Sequence, residues 1–362
     1  MFSADHHVFF LHQRAEKCQR DFRVLNGIDF CSNDYLSLKS DPDIKKELSQ
    51  FFSHENTWCS TGSRLVSGNS ENLLKLEERF ARFVNRPCAL FFANGYQANL
   101  AAISILFSGC IIFSDEFNHA SIIDGVRLSN GDKFLYRHGD LDHLEDALKK
   151  DSNKPRAIIT ESIFSTSGQM SDIASLDFLA RKYQAFLMVD EAHATGVFGK
   201  SGAGLLEELL YRGDHIVSTH SCGKALGSFG SFVACSNKVY EIIKNLSRSF
   251  ICTTAPPPYL TAHVHAVLRR IQNESVLRER LFENIAHARG ILKTKSPIIS
   301  VSVNNDQCAL FIREHMAQNG FDIAVFRYPS VPKDRVQLRI TLHSGNTSEQ
   351  IDRLQKELEG IL

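Results

Sequence analysis

The segment Ala185-Phe186-Leu187-Met188-Val189-Asp190-Glu191-Ala192-His193 decides how this chain is read: a short apolar run ends on an aspartate, and a histidine follows three positions later. Downstream lies Ser221-Cys222-Gly223-Lys224-Ala225-Leu226-Gly227, a lysine among small residues between two apolar runs. Outward from these segments, the middle of the chain alternates short apolar runs with helical periodicity, the pattern of a mainly parallel sheet wrapped by helices. Strands are expected at 89–93, 110–115, 133–136, 156–161, 185–190, 215–219 and 230–235. Connecting helices are expected at 96–107, 121–129, 141–149 and 175–184. Polar residues of chemical interest fall just beyond the strand ends, where open α/β sheets bind ligands.

Pro256-Pro257-Pro258 can continue neither a helix nor a central strand, so a boundary is placed there. The expected organisation is α/β: an N-terminal arm over 1–45, then a large domain over 46–255 with a mainly parallel seven-stranded sheet between helices. A smaller α+β domain covers 256–362, with strands at 298–303 and 336–342 and a last helix at 348–362.

Composition narrows the function classes. The 362 residues carry 41 basic and 41 acidic side chains, so nothing favours nucleic acid or an anionic membrane as a partner. No apolar run approaches the roughly 20 residues that span a bilayer, and the start lacks the charged-then-apolar order of a signal peptide. A soluble cytoplasmic protein is expected. The nine cysteines are scattered without a C-x-x-C pair, which suits reduced thiols. His6, His7 and His12, or His263 and His265, lack acidic or cysteine partners at ligand spacing, so no metal is expected. Asp190-Glu191-Ala192-His193 spells one helicase motif and Gly199-Lys200-Ser201 the end of a phosphate loop. Their order along the chain is reversed, however, and position 194 is Ala where that loop needs Gly.

A cofactor explains the residue types better. Pyridoxal phosphate needs an amine to hold its aldehyde and a carboxylate to keep its pyridine nitrogen protonated, which Lys224 and Asp190 can supply. His193 can reach the ring's phenolic oxygen if the chain turns after the strand, and Ser221 can donate to the phosphate. Asn94-Gly95-Tyr96 opens a helix after a strand, so the first amides, at Gly95 and Tyr96, can bind phosphate or serve only as a capped loop. His119 can stack on the ring or merely cap a helix, and Ser165 can meet the ring oxygen, the substrate or only its own backbone.

Asn33-Asp34-Tyr35-Leu36, Thr61-Gly62-Ser63-Arg64, Ser67-Gly68-Asn69, Asn94-Gly95-Tyr96, Asp115 to Ser121, Glu161 to Ser165, Val189 to Thr195, Cys222 to Gly227, Thr253-Thr254 and Leu338-Arg339-Ile340-Thr341-Leu342 occur in this order. Together they resemble the α-oxoamine synthase family of fold type I pyridoxal phosphate enzymes, from about residue 30 to the C-terminus. The resemblance implies Lys224 as the cofactor-holding amine and acid/base, Asp190 as partner of the pyridine nitrogen, and His119 as the stacking base. It places His193 and Ser165 around the phenolic oxygen and Gly95, Tyr96 and Ser221 near the phosphate. Arg339 would take the amino-acid carboxylate, and Thr254 would reach the neighbouring subunit's phosphate in a homodimer with interfacial active sites. The implied reaction is decarboxylative condensation of an amino acid with an acyl thioester carried on coenzyme A or a carrier protein.

Residues 62–69 look most like the biotin-pathway members, which join alanine to a pimeloyl group. Glycine with acetyl or succinyl, and serine with palmitoyl, are the alternatives within the family; a non-catalytic binding module is the alternative outside it. Leu73 stands where relatives often have His, Ala255-Pro256-Pro257 replaces Leu or Met before the paired prolines, and the arm that covers the acyl thioester in relatives is short.

Overall fold

In a computed structural model of the chain, residues 8–9, 11–12, 15, 20, 22–209 and 213–362 are described. His6, His7 and most of the expected arm before residue 22 lie outside the described residues. Seven strands form the large sheet: β1 (Cys88–Phe92), β2 (Ile111–Asp115), β3 (Asp132–Tyr136), β4 (Arg156–Glu161), β5 (Ala185–Asp190), β6 (Ile216–Ser221) and β7 (Ser231–Cys235). Their spatial order is β1-β7-β6-β5-β4-β2-β3. Every neighbouring pair is parallel except the two made by β7, which runs antiparallel to β1 and β6.

Successive side chains of a strand point to opposite faces, and here both faces are covered. Ile158, Leu187, Val189 and Ile216 pack with residues of helices Leu141–Leu148 and Ile173–Lys182. Ile159, Met188 and Val217 pack on the other side with helices Gly95–Leu106 and Ala120–Leu128. Burial on both faces is why the strands read as unbroken apolar runs rather than alternating ones.

Several elements depart from their expected limits by one to three residues, and for two of them the physical reason is visible. β6 runs on to Ser221, because its polar end is satisfied inside the protein: Thr219 Oγ1 donates to Asn99 Oδ1 at 2.9 Å, and His220 pairs with Thr195 and Ser218 at 2.8 Å each. The helix Ile173–Lys182 starts two residues early, since Asp172 caps it by accepting from Ser175 N at 3.0 Å.

The C-terminal part holds a three-stranded antiparallel sheet of β8 (Ile298–Ser302), β9 (Ala324–Phe326) and β10 (Gln337–Thr341), in the order β9-β10-β8. Pro258 sits in the first turn of helix Pro258–Asn273, where its missing N–H is not needed. Residues 28–35 are stitched to this region: Ile28–Asp29 pairs parallel with Phe321–Asp322, Thr341 N donates to Phe30 O at 2.9 Å and Ser344 N to Tyr35 O at 2.8 Å. That stitching brings Asn33 and Tyr35 beside Arg339. Among the described residues no helix is long and apolar enough to cross a membrane.

Candidate active site

Lys224, His119, His193, Ser165, Arg339 and Asn33 line one cavity of about 320 Å³ at the C-terminal ends of the parallel strands. Asp190, buried at the end of β5, accepts from Asn99 Nδ2 at 2.7 Å and from Ala192 N at 2.9 Å. The Asn99 amide is oriented by its partners, because an ionised carboxylate only accepts and therefore faces the NH₂ group. The same Nδ2 donates to Ser121 Oγ at 2.9 Å, while Asn99 Oδ1 accepts from Thr219. Ser121 Oγ then spends its hydrogen on His119 Nδ1, 2.8 Å away, and Ser121 N donates to the same nitrogen at 3.2 Å. His119 is thus left with its hydrogen on Nε2.

Lys224 lies in the hairpin between β6 and β7. That loop is closed by Cys222 N donating to Gly230 O at 2.9 Å, Ser228 N to Cys222 O at 2.9 Å and Gly227 N to Lys224 O at 2.8 Å. Gly230 must be glycine: its φ is +103°, and a Cβ there would meet the Phe91 ring at 2.1 Å. Among the described residues Lys224 makes no ion pair. Burial, assisted by Arg339 and opposed by Asp190 and Glu161, holds its ammonium below the usual lysine value, which enlarges the share of free amine.

Arg339 is buried and held on three sides. Nε donates to Ser165 O at 2.6 Å, Nη2 to Asn33 Oδ1 at 2.7 Å and to Tyr35 Oη at 3.3 Å, and the guanidinium lies 5.4 Å from the Phe326 ring centre. Nη1 keeps no partner among the described residues. His193 Nδ1 is 2.7 Å from Tyr35 Oη. Burial, with Lys224, Arg339 and His119 adding, depresses the His193 imidazole well below its usual value, so the ring is neutral.

The Gly95 and Tyr96 amides, in the first turn of their helix, find no acceptor among the described residues; Asn94 caps the turn by accepting from Gln97 N at 2.9 Å. Gly95 lies against Ser221, whose Cβ is 3.9 Å from where a Gly95 Cβ would stand. The Tyr96 side chain is exposed and its hydroxyl donates to Asp124, so only its backbone N–H is left for a ligand. Thr254 is not with this group: it lines a second pocket of about 400 Å³ with Gly227, Phe229 and Pro257.

Reading the sequence residue by residue missed Asn33, Tyr35, Asn99 and Glu161. Glu161 is the register partner of Asp190 on β4, and burial followed by the Asp190 charge pushes its carboxyl well above the usual carboxylate range. Asn33, Tyr35 and Glu161 stood inside motifs already quoted; Asn99, one turn into its helix, carried no local signal. The helicase and phosphate-loop spellings dissolve. Glu191 is buried and accepts from Leu205 N, Leu206 N and Ser162 Oγ at 2.7–3.0 Å. The amides of Ser201 and Ala203 are taken by Glu207.

A doubly covered, mostly parallel seven-stranded sheet, with a lysine on a β-hairpin and an aspartate at a neighbouring strand end, defines the fold type I class of pyridoxal phosphate enzymes. The chain belongs to the aminotransferase class I and II family, whose model matches residues 26–358, and within it to the α-oxoamine synthases. It is 36% identical over 374 residues to 8-amino-7-oxononanoate synthase of Alkalilimnicola ehrlichii, covering 97% of this chain and 95% of that one. A solved 8-amino-7-oxononanoate synthase from Francisella tularensis superposes with a TM-score of 0.78 at 33% identity, over 92% of this chain and 96% of that one. Serine palmitoyltransferase from S. paucimobilis reaches a TM-score of 0.88 at 23% identity, over 98% and 96%, a likeness of fold.

Proposed function

We propose that this chain is a pyridoxal-phosphate-dependent C-acyltransferase that condenses L-alanine with a pimeloyl thioester, on coenzyme A or a carrier protein. The products are 8-amino-7-oxononanoate, free thiol and carbon dioxide, a step of biotin biosynthesis. The carrying observation is the convergence on one cavity of an ion-pair-free lysine, a neutral buried histidine and a buried arginine, with Asp190 wired to His119 through Asn99 and Ser121. These residues fit the cofactor: free amides at Gly95 and Tyr96 with Ser221 suit its phosphate, and the Asp190 carboxylate suits its ring nitrogen. When bound, pyridoxal phosphate supplies an aldehyde for an amine and a ring that accepts the electron pair left when a bond to the amino acid's α-carbon breaks.

The protein supplies the rest. Arg339, through Nη1 and with Asn33 beside it, binds the amino-acid carboxylate and orients the α-carbon. Lys224 Nζ, kept partly as free amine, removes the α-proton and later returns one. With the cofactor bound, Asp190 would keep a proton on the ring nitrogen, His119 would cover the ring, and His193 and Ser165 would meet the phenolic oxygen. Thr254 reaches the phosphate of a neighbouring subunit, so the working unit is a homodimer. An arm over 1–45, a large domain over 46–255 and a small domain over 256–362 make up the proposed subunit.

A thiol-release assay with acetyl, succinyl, pimeloyl and palmitoyl thioesters against glycine, alanine and serine tests the assignment. Pimeloyl with alanine is expected to give the highest kcat/KM. A different preferred pair removes the substrate assignment, and no release with any pair removes the enzyme.

A further inference from the structure

Tyr35 is fully buried where Asn33, His193 and Arg339 meet, and its one hydrogen can go to Asn33 Oδ1 or, where His193 Nδ1 is bare, to that nitrogen. Arg339 only donates, so its Nη2, at 3.3 Å, uses a lone pair of Tyr35 Oη. Asn33 Oδ1 is 3.1 Å from Tyr35 Oη and already receives a charge-assisted bond from the same Nη2 at 2.7 Å. His193 Nδ1 is nearer, at 2.7 Å, and has no other partner among the described residues. We assign the phenolic hydrogen to the shorter contact, at His193 Nδ1, which leaves Asn33 Oδ1 to Arg339. A neutral imidazole carries one N–H, which must then sit on Nε2. Nε2 has no partner among the described residues, while His193 forms part of the cavity wall with Lys224. Burial pushes the Tyr35 hydroxyl up to about 12, so it keeps its hydrogen at any working pH.

We propose that Tyr35 is a positioning residue that fixes His193 as the Nε2–H tautomer, aiming a hydrogen-bond donor at the cofactor's phenolic oxygen. The same hydroxyl ties that donor to the Arg339 guanidinium that receives the amino-acid carboxylate. This rests on the pyridoxal phosphate reading for the donor's target, but not for the tautomer. A donor at that oxygen favours its deprotonated form, so losing the donor raises the pH at which the cofactor's visible band titrates.

The first test needs no variant. Imidazole ¹⁵N spectra of the labelled full-length protein, with His193→Gln identifying the signals, are expected to show an unprotonated Nδ1 and a protonated Nε2, before and after pyridoxal phosphate is added. A protonated Nδ1 overturns the proposal, whether or not any Tyr35 variant folds. In Tyr35→Phe, both tautomers are expected to exchange, and the titration midpoint of the visible band is expected to rise by about one pH unit, a tenfold change in proton affinity. A single Nε2–H tautomer with an unchanged midpoint in that variant also overturns it. Absence of any visible band in the wild type refutes the cofactor reading instead, and the tautomer spectrum tells the two failures apart.

Discussion

The two walls of the cavity are made of different materials. On the sheet side, Thr219, Asn99, Asp190, Ser121 and His119 hang together on hydrogen bonds of 2.7–3.2 Å, each residue sitting at a strand end or in the first turns of a helix. Elsewhere in the lining, Phe117, Phe326, Pro329 and Ser330 present rings and loop residues. There the cations rest on aromatic faces: Arg335 lies 4.7 Å from the centre of the Phe117 ring and Lys333 5.3 Å from that of Tyr328. A hydrogen-bonded wall has one low-energy arrangement, whereas faces and loops tolerate several. We propose that the hydrogen-bonded side carries the bond-breaking chemistry and that the loop side meets the acyl thioester.

Variants can break or sharpen this contrast, beginning with the largest effect. Lys224→Ala is expected to remove turnover and the visible band formed with pyridoxal phosphate together; a variant that keeps both refutes the assignment of the amine. Asp190→Asn should still bind cofactor but lose roughly two to three orders of magnitude in kcat, because an amide cannot hold the ring nitrogen protonated. An intact kcat would mean that the sheet wall is scaffolding.

Glu191, next along that wall, gives a stability effect without chemistry. Burial lifts its carboxyl from 4.5 to about 7, against the opposing pull of the Leu206 and Leu205 amides and Ser162. The folded state then binds more protons than the unfolded one, so this group's contribution is full below about pH 4.5 and is lost as pH rises towards 7. Glu191→Gln should remove that slope, a difference on the order of 2–3 kcal/mol between denaturation curves taken near pH 5 and pH 8. Parallel pH profiles for the two proteins would count against it.

Arg339→Lys should raise the KM for alanine roughly tenfold with a smaller change in kcat, as an ammonium cannot hold Ser165 O and Asn33 Oδ1 and still present a fixed donor to the carboxylate. On the loop wall, Arg335→Ala is expected to shift only the KM for the acyl thioester, by about two- to threefold. An effect on the alanine KM instead would erase the division between the walls.

Much of this was legible in the sequence. Strand limits fell within a residue or two, because burial on both faces leaves apolar runs that polar helix starts interrupt. Arg339 came only from the family resemblance, whereas Lys224, Asp190 and His193 could be picked out because each lies at or after the end of a strand-like run. Tyr35 and Asn99 could not, since their partners lie 158 and 91 residues away and only the sheet order and the stitching of residues 28–35 bring them together. The strand expected over 215–219 runs on to Ser221, and only the structure shows where the polar groups of His220 and Ser221 lie.

The hairpin that carries Lys224 has a practical consequence. β7 is wedged between β1 and β6, so segment 222–230 is clamped at both roots, and Gly230 is pressed against Phe91 with no slack. The lysine is therefore mounted in a jig of fixed tolerance. Anyone grafting loops or tags onto this scaffold has almost no freedom along 222–230, where one inserted residue would carry the amine out of alignment with everything it serves.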